Sequence, residues 1–258
     1  MADGNTETNE VLSASSLQRL IDIGIALSAE RDTNVLMETI LLEAKSLSNA
    51  DGGTLYIRTN DNRLRFEIMR TDSLNIAMGG TTGKDINFPP LTLIDPKTGE
   101  ANHKNVASAA ALTGESINIP DAYENDNFDF SGTKKFDEGT GYRSKSFLCV
   151  PLKNSQEQVI GVLQLLNAVD KGSGNVIAFG NHIQPLIEAL ASQAAVALDN
   201  QQLLEAQKKL LDSFIELIAS AIDAKSPYTG GHCQRVPELT KMLASAACEQ
   251  TEGPFADF

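Results

Sequence analysis

Ser146-Phe147-Leu148-Cys149-Val150-Pro151-Leu152 and Val159-Ile160-Gly161-Val162-Leu163-Gln164-Leu165-Leu166 stand on either side of a polar turn, Lys153-Asn154-Ser155-Gln156-Glu157-Gln158. Two apolar runs of strand length about such a turn predict an antiparallel hairpin, and their near-continuous apolar character predicts central strands covered on both faces. Upstream, Thr54-Leu55-Tyr56-Ile57-Arg58 and Leu64-Arg65-Phe66-Glu67-Ile68-Met69 alternate about Thr59-Asn60-Asp61-Asn62 and predict a second hairpin. Before it, Leu17, Leu20, Ile21 and Ile25 follow helical spacing. A second helix, with Leu36, Ile40, Ala44 and Leu47 on one side, starts after a cap at Asp32 or Thr33 and is broken by Asp51-Gly52-Gly53. With a long helical and loop excursion over residues 95–145, these elements predict an α+β domain: an antiparallel sheet flanked by helices.

From about Asn181 to Ala224 the pattern predicts one long helix, with Pro185 tolerated because it falls in the first turn. Ile187, Leu190, Ala194, Ala197, Gln201, Leu204, Lys208, Leu211, Ile215, Ile218 and Ile222 recur at alternating steps of three and four, a heptad seam. A stripe this long is expected to pair with a second copy, giving a homodimer in which Gln201 and Lys208 weaken the seam and fix its register. The other reading is that the stripe docks on its own domain.

Composition excludes several classes. The net charge of −13 argues against nucleic-acid polymers and anionic membranes, which need clustered Lys and Arg. Met1-Ala2-Asp3-Gly4-Asn5-Thr6-Glu7 lacks the charged and apolar regions of a secretory signal, so a cytoplasmic protein is expected. Cys149, Cys233 and Cys248 are widely spaced with no CxxC, and reduced thiols are expected.

Glu115-Ser116-Ile117-Asn118-Ile119-Pro120-Asp121-Ala122-Tyr123, Asp137-Glu138-Gly139-Thr140-Gly141-Tyr142-Arg143-Ser144-Lys145-Ser146 and the run Val159 to Asn167 resemble a GAF domain, most of all the cyclic-nucleotide-binding GAF domains of phosphodiesterases and related cyclases. The resemblance implies a small-molecule ligand whose phosphate meets backbone amides at Val106 and Ala107. It implies further ligand contacts from Thr133, Asp137, Thr140 and Ser144 on a lid, and from Gln164 on the last strand. The family's Asn-Lys … Phe-x3-Asp-Glu signature survives as Asn167 and Phe179, but its Lys position is Ala168 and its Asp and Glu positions are Ile183 and Gln184. The lid-closing salt bridge that the signature implies is therefore absent. Haem is disfavoured because His103 and His182 have no supporting motif, and a bilin would need a pocket cysteine, whereas Cys149 falls in a core strand.

Ala224-Lys225-Ser226-Pro227-Tyr228-Thr229-Gly230-Gly231-His232-Cys233-Gln234-Arg235-Val236 is similar to the opening of a metal-dependent HD phosphohydrolase of the HD-GYP kind. The likeness implies His232 as a first metal ligand, with divalent Fe or Mn expected in a complete catalytic domain. His103, His182 and His232 are the only histidines, and none precedes an Asp, so no complete metal centre is expected within this chain and the chain itself requires no cofactor. The expected organisation is a disordered start over 1–12, a sensory domain over 13–184, a coiled-coil stalk over 185–224 and the start of an all-α HD segment over 225–258. Two functions remain open: a ligand sensor acting through the stalk on the phosphohydrolase, or a ligand-free dimerisation module before the same enzyme.

Overall fold

The computed structural model describes residues 14–96, 98–225 and 232–249; the segment expected to be disordered lies outside them. Helix α1, Ala14–Ala29, buries Leu20, Ile23 and Leu27, while Leu17, Ile21 and Ile25 are exposed. The single stripe read from the sequence is thus two rows, only one of which reaches the core. Helix α2, Thr33–Ser48, is capped by Asp32, whose carboxylate accepts from the amides of Asn34 at 2.8 Å and Val35 at 3.1 Å. Asp32→Ala is expected to lower stability by about 1 kcal/mol, measured by urea denaturation, because two first-turn donors lose their acceptor.

The end of α2 differs from the expectation. Asn49, at φ 52°, takes the left-handed cap position and donates its N–H to the Lys45 carbonyl. Asp51, Gly52 and Gly53 then lie inside strand β1, Ala50–Arg58. The glycines serve packing: a Cβ on Gly53 would stand 2.8 Å from Leu41 Cδ1, so the missing side chain lets α2 lie close on the sheet.

Strands β2 (Arg63–Thr71), β3 (Ile76–Gly79) and β4 (Leu91–Thr92) follow, then α3 (Val106–Thr113), β5 (Ile117–Ile119), α4 (Ser131–Thr140), β6 (Phe147–Lys153), β7 (Val159–Val169) and β8 (Val176–Ile177). The sheet runs β3-β2-β1-β7-β6-β5, with β4 on β2 and β8 on β7. Both hairpins form as expected. The central pair β1 and β7 is antiparallel with Leu55 opposite Leu163, and Gly161 is required there because a Cβ would lie 2.4 Å from the Tyr56 carbonyl oxygen.

Alternation sends successive side chains to opposite faces and builds two cores. On one face Leu55, Ile57, Leu163 and Leu165 pack with α1, α2 and the first part of α5, Ile183–Lys225. On the other, Tyr56, Val162, Phe147 and Cys149 pack with α3. The ion pair of Arg70 on β2 with Glu38 on α2, at 2.5 Å, holds the outer strands to the helical layer.

The seam of α5 divides. Ile187, Leu190 and Ala194 are buried in the domain's own core, and Gln201 donates to the Arg31 carbonyl at 2.6 Å, so this half is covered without a partner. The described residues fall into two compact units separated between Gln201 and Gln202. Within the second, Leu204, Leu211, Ile215, Ile218 and Ile222 are exposed, and α6 runs from His232 to Cys248. No helix of the described residues is long and apolar enough to cross a membrane.

Candidate functional site

The sheet face opposite α2 forms the floor of a cavity of about 570 Å³. Strand alternation decides which residues reach it: Thr54 and Tyr56 on β1, and Gln164 and Leu166 on β7, face the cavity, while their neighbours Leu55 and Leu165 face the helical layer. Phe66 and Phe88 continue the floor as an aromatic row, with ring centroids 4.7 Å from Tyr56 to Phe66 and 5.7 Å from Phe66 to Phe88. Burial pushes the Tyr56 phenol well above its ordinary value, so it stays neutral.

One end wall is the start of α3. Asn105 caps it by accepting from Ser108 N at 3.0 Å, and Asn102 accepts from Asn105 N at 3.3 Å while donating to the Thr92 carbonyl at 3.0 Å. The first-turn amides of Val106 and Ala107 have no intrahelical acceptor, as in any helix, and Val106, Asn105 and Lys104 line the cavity. This end offers N–H groups and a positive dipole to an anion.

The roof is α4 and the residues before it, from Asp129 through Thr133 to Phe136. Its C-terminal end is fastened by side chains. Asp137 is buried and accepts from Ser144 N at 2.8 Å, Ser144 Oγ at 2.8 Å and Tyr123 Oη at 2.9 Å. The hydrogen bond to Asp137 raises the pKa of Tyr123, whose ring also lies beneath the Arg143 guanidinium at 4.3 Å. Tyr142 donates to Asp51 at 2.6 Å, tying the end of the roof to β1. Burial first, and then this bond to Asp51, pushes the Tyr142 phenol well above its ordinary range.

Among the residues proposed from sequence, Val106, Thr133, Ser144 and Gln164 line the cavity together. Ala107 is buried behind the wall in the core, Asp137 is spent on Ser144 and Tyr123, and Thr140 is exposed and donates to the Phe136 carbonyl within α4. Gln164 lines the cavity and accepts from Cys149 Sγ at 3.5 Å. Sequence reasoning missed the aromatic row, whose only signal was Tyr56 and Phe66 at alternating positions of the first hairpin. It also missed Tyr142–Asp51, a contact across 91 positions with no local signature. The His232 side chain lies outside the described residues, and among the described residues no three His, Cys, Asp or Glu side chains cluster as for a metal.

The GAF-domain family model matches residues 32–198, which span the sheet, the cavity and the docked half of α5. The chain belongs to the GAF family. The dual 3',5'-cyclic-AMP and -GMP phosphodiesterase 11A of Takifugu rubripes is 33% identical over 109 residues, covering 42% of this chain and 11% of that protein. Its counterpart, phosphodiesterase 11 of Drosophila melanogaster, is 35% identical over 100 residues, covering 39% of this chain and 6% of that protein. The chain therefore matches only a small part of the length of these relatives. Among solved structures, the GAF domain of an Acinetobacter phosphoenolpyruvate-protein phosphotransferase superposes with a TM-score of 0.54 at 14% identity, over 76% of this chain and 99% of that one, a likeness of fold.

The GAF signature positions have structural work. Asn167, buried at φ 55°, accepts from Lys145 N at 2.7 Å and Ser146 N at 3.2 Å and donates to the Arg143 carbonyl at 2.8 Å. It pins the chain as it leaves the roof onto β7. Phe179 is buried against the helical layer, and its carbonyl accepts from Asn118 at 3.2 Å. At the Lys position of the signature, Ala168 is buried and pairs with Ile177 of β8. Closure of this GAF roof rests instead on Asp137, Tyr142 and Asn167.

Proposed function

We propose that this GAF domain is a signalling sensor for a small planar anion of the cyclic-nucleotide class. One observation carries the reading: a cavity of about 570 Å³ sets an aromatic row against a helix start rich in N–H donors, beneath a roof held by its own hydrogen bonds. That volume is within the roughly 300–1,000 Å³ of small-molecule sites. A purine would lie against Phe66, its phosphate at the amides of Val106 and Ala107, with Thr133 and the Gln164 amide reading its edges. The relatives named as cyclic-AMP and -GMP phosphodiesterases favour the same class. Overall acidity does not oppose it, since a few convergent amides bind an anion without a basic protein.

The sensor's output is assigned to α5 in a homodimer, which would bias a metal-dependent HD-type phosphohydrolase to which residues 225–258 contribute the opening and His232 a first ligand to Fe or Mn. The resemblance of Pro227 to Val236 to that opening supports the assignment. Ligand can shift the equilibrium only by its differential affinity for the two states of the roof.

The test is calorimetric titration with cyclic AMP, cyclic GMP and cyclic di-GMP. One of them is expected to bind, and Phe66→Ala to weaken it about tenfold or more, because stacking of a base on an aromatic ring contributes about 1–3 kcal/mol. Absence of binding by all three at millimolar concentration, to protein shown folded by circular dichroism, overturns the reading. That outcome favours the ligand-free dimerisation module, for which the mutual satisfaction of Asp137 and Ser144 is the supporting contact.

A further inference from the structure

Strand β2 is paired along its outer edge in two pieces. β3 reaches it as far as Ile68 opposite Gly79, and β4 takes it up again at Leu64 opposite Leu91. Residues 65–67 have no strand beside them on that edge, and residues 80–90 arch past the gap. Under the arch lies a second cavity of about 430 Å³, lined by Arg65, Phe66 and Glu67 of the edge and by Lys84, Ile86 and Phe88 of the arch. Phe66 and Phe88 line the ligand cavity as well. Those two rings, with centroids 5.7 Å apart, are therefore a wall common to both spaces. A bulge in β2 sets up that wall. Tyr56 pairs with Phe66 but Leu55 with Ile68, so Glu67 is an extra residue, and Phe66 and Met69 both face the ligand cavity.

The arch is built to move and the roof is not. From residue 85 to 89 the arch makes no hydrogen bond to any other of the described residues. Pro89 and Pro90 have no N–H to offer. Gly83, at φ 66°, stands where a Cβ would meet nothing within 4 Å, a free joint at the other end. Phe88 itself is 45% exposed. The roof, by contrast, is tied where it begins, Asp129 N donating to the Lys104 carbonyl at 2.8 Å, and where it ends, by Asp137, Tyr142 and Asn167. Lifting the roof breaks these bonds, whereas turning Phe88 breaks none, so the arch is the less costly way in.

We infer that Phe88 is the door of the ligand cavity. It turns outward over residues 65–67 into the space beneath the arch to admit a planar ligand, then returns to close beside Phe66. A space of about 430 Å³ is of the size that holds whole small molecules, so one phenyl ring fits. Segments that admit and then cover a ligand set its rates of entry and release. The inference rests on the sensor reading for what passes the door, but the motion of the door is read without ligand.

The test is thiol labelling of Thr54→Cys in the full chain with Cys149→Ala, Cys233→Ser and Cys248→Ser. Thr54 lines the ligand cavity and is 7% exposed. Phe88→Ala is expected to speed labelling at least tenfold, and Phe88→Trp, a larger door, to slow it at least threefold. Loosening of the fold cannot produce that opposite pair of effects. Tyr142→Phe, which frees the roof from Asp51, is expected to change the rate less than twofold. Acceleration by both Phe88 variants, none by Phe88→Ala, or an equal acceleration by Tyr142→Phe overturns the inference. Thr71→Cys, on the same cavity, replaces the reporter if Thr54→Cys does not fold. The sensor reading fails separately: where a cyclic nucleotide binds, Phe88→Ala should raise both its association and dissociation rates at least fivefold, and where none binds, the labelling pattern still decides the door.

Discussion

Replacing Asn167 with alanine is expected to destabilise the domain by about 4 kcal/mol and to lower its melting temperature by roughly 10 °C. Three hydrogen bonds vanish together, from the amides of Lys145 and Ser146 and to the carbonyl of Arg143, and Asn167 is 1% exposed. Water does not readily replace them, and a buried backbone group left without a partner costs about 1–3 kcal/mol. Alanine must also hold φ 55°, a conformation that asparagine tolerates and that costs most residues about 1 kcal/mol or more. Glycine separates the contributions: Asn167→Gly keeps the loss of hydrogen bonds but removes the steric penalty, and is expected to be about 1 kcal/mol milder. Equal effects of the two variants in differential scanning calorimetry would show that backbone conformation contributes nothing.

The second large effect is expected at Arg70. It is 6% exposed and bonds Glu38 at 2.5 Å, the Met69 carbonyl at 2.8 Å and the Met78 carbonyl at 2.7 Å. Glu38 is held in turn by the amide and hydroxyl of Thr81. Arg70→Met leaves Glu38 without its cation and is expected to cost about 3–5 kcal/mol, whereas the double change Arg70→Met with Glu38→Leu should recover much of that loss. The pair also carries a pH signature. Partial burial favours protonation of Glu38, but the hydrogen bonds from Thr81 and Arg70 outweigh it and hold its pKa below the ordinary carboxylate value. A depressed folded pKa means that the stabilisation is complete above the unfolded value and is lost as pH falls through the folded one. Glu38→Gln should therefore be less stable than the parent at neutral pH and show a shallower decline below about pH 4, read from urea midpoints across pH. A parallel decline in both proteins would show that Glu38 contributes no proton linkage.

Both hairpins and the long helix were legible because each depends on a local period: alternation in Leu64–Met69, continuous apolar character in Val159–Leu166, and steps of three and four from Ile187 onward. The two-residue strands β4 and β8 had no such period to show. The end of α2 was misplaced because paired glycines resemble a breaker, whereas their reason is the nearness of Leu41, a tertiary fact. Helical spacing of Leu17, Leu20, Ile21 and Ile25 marked α1 but could not choose which row faces the core. At the cavity, resemblance reached Val106, Thr133, Ser144 and Gln164, all of which line it. It could not foresee that Asp137 bonds Ser144 and Tyr123, since those partners meet only when α4 folds across the sheet.

Cys149 gives the molecule a clock of its own. Its thiol is fully enclosed between the sheet and α3, and burial pushes its pKa far above the range in which a thiolate forms. Only the thiolate reacts with an alkylating agent. With Cys233 and Cys248 replaced, the rate of modification would time how often the central hairpin breathes open.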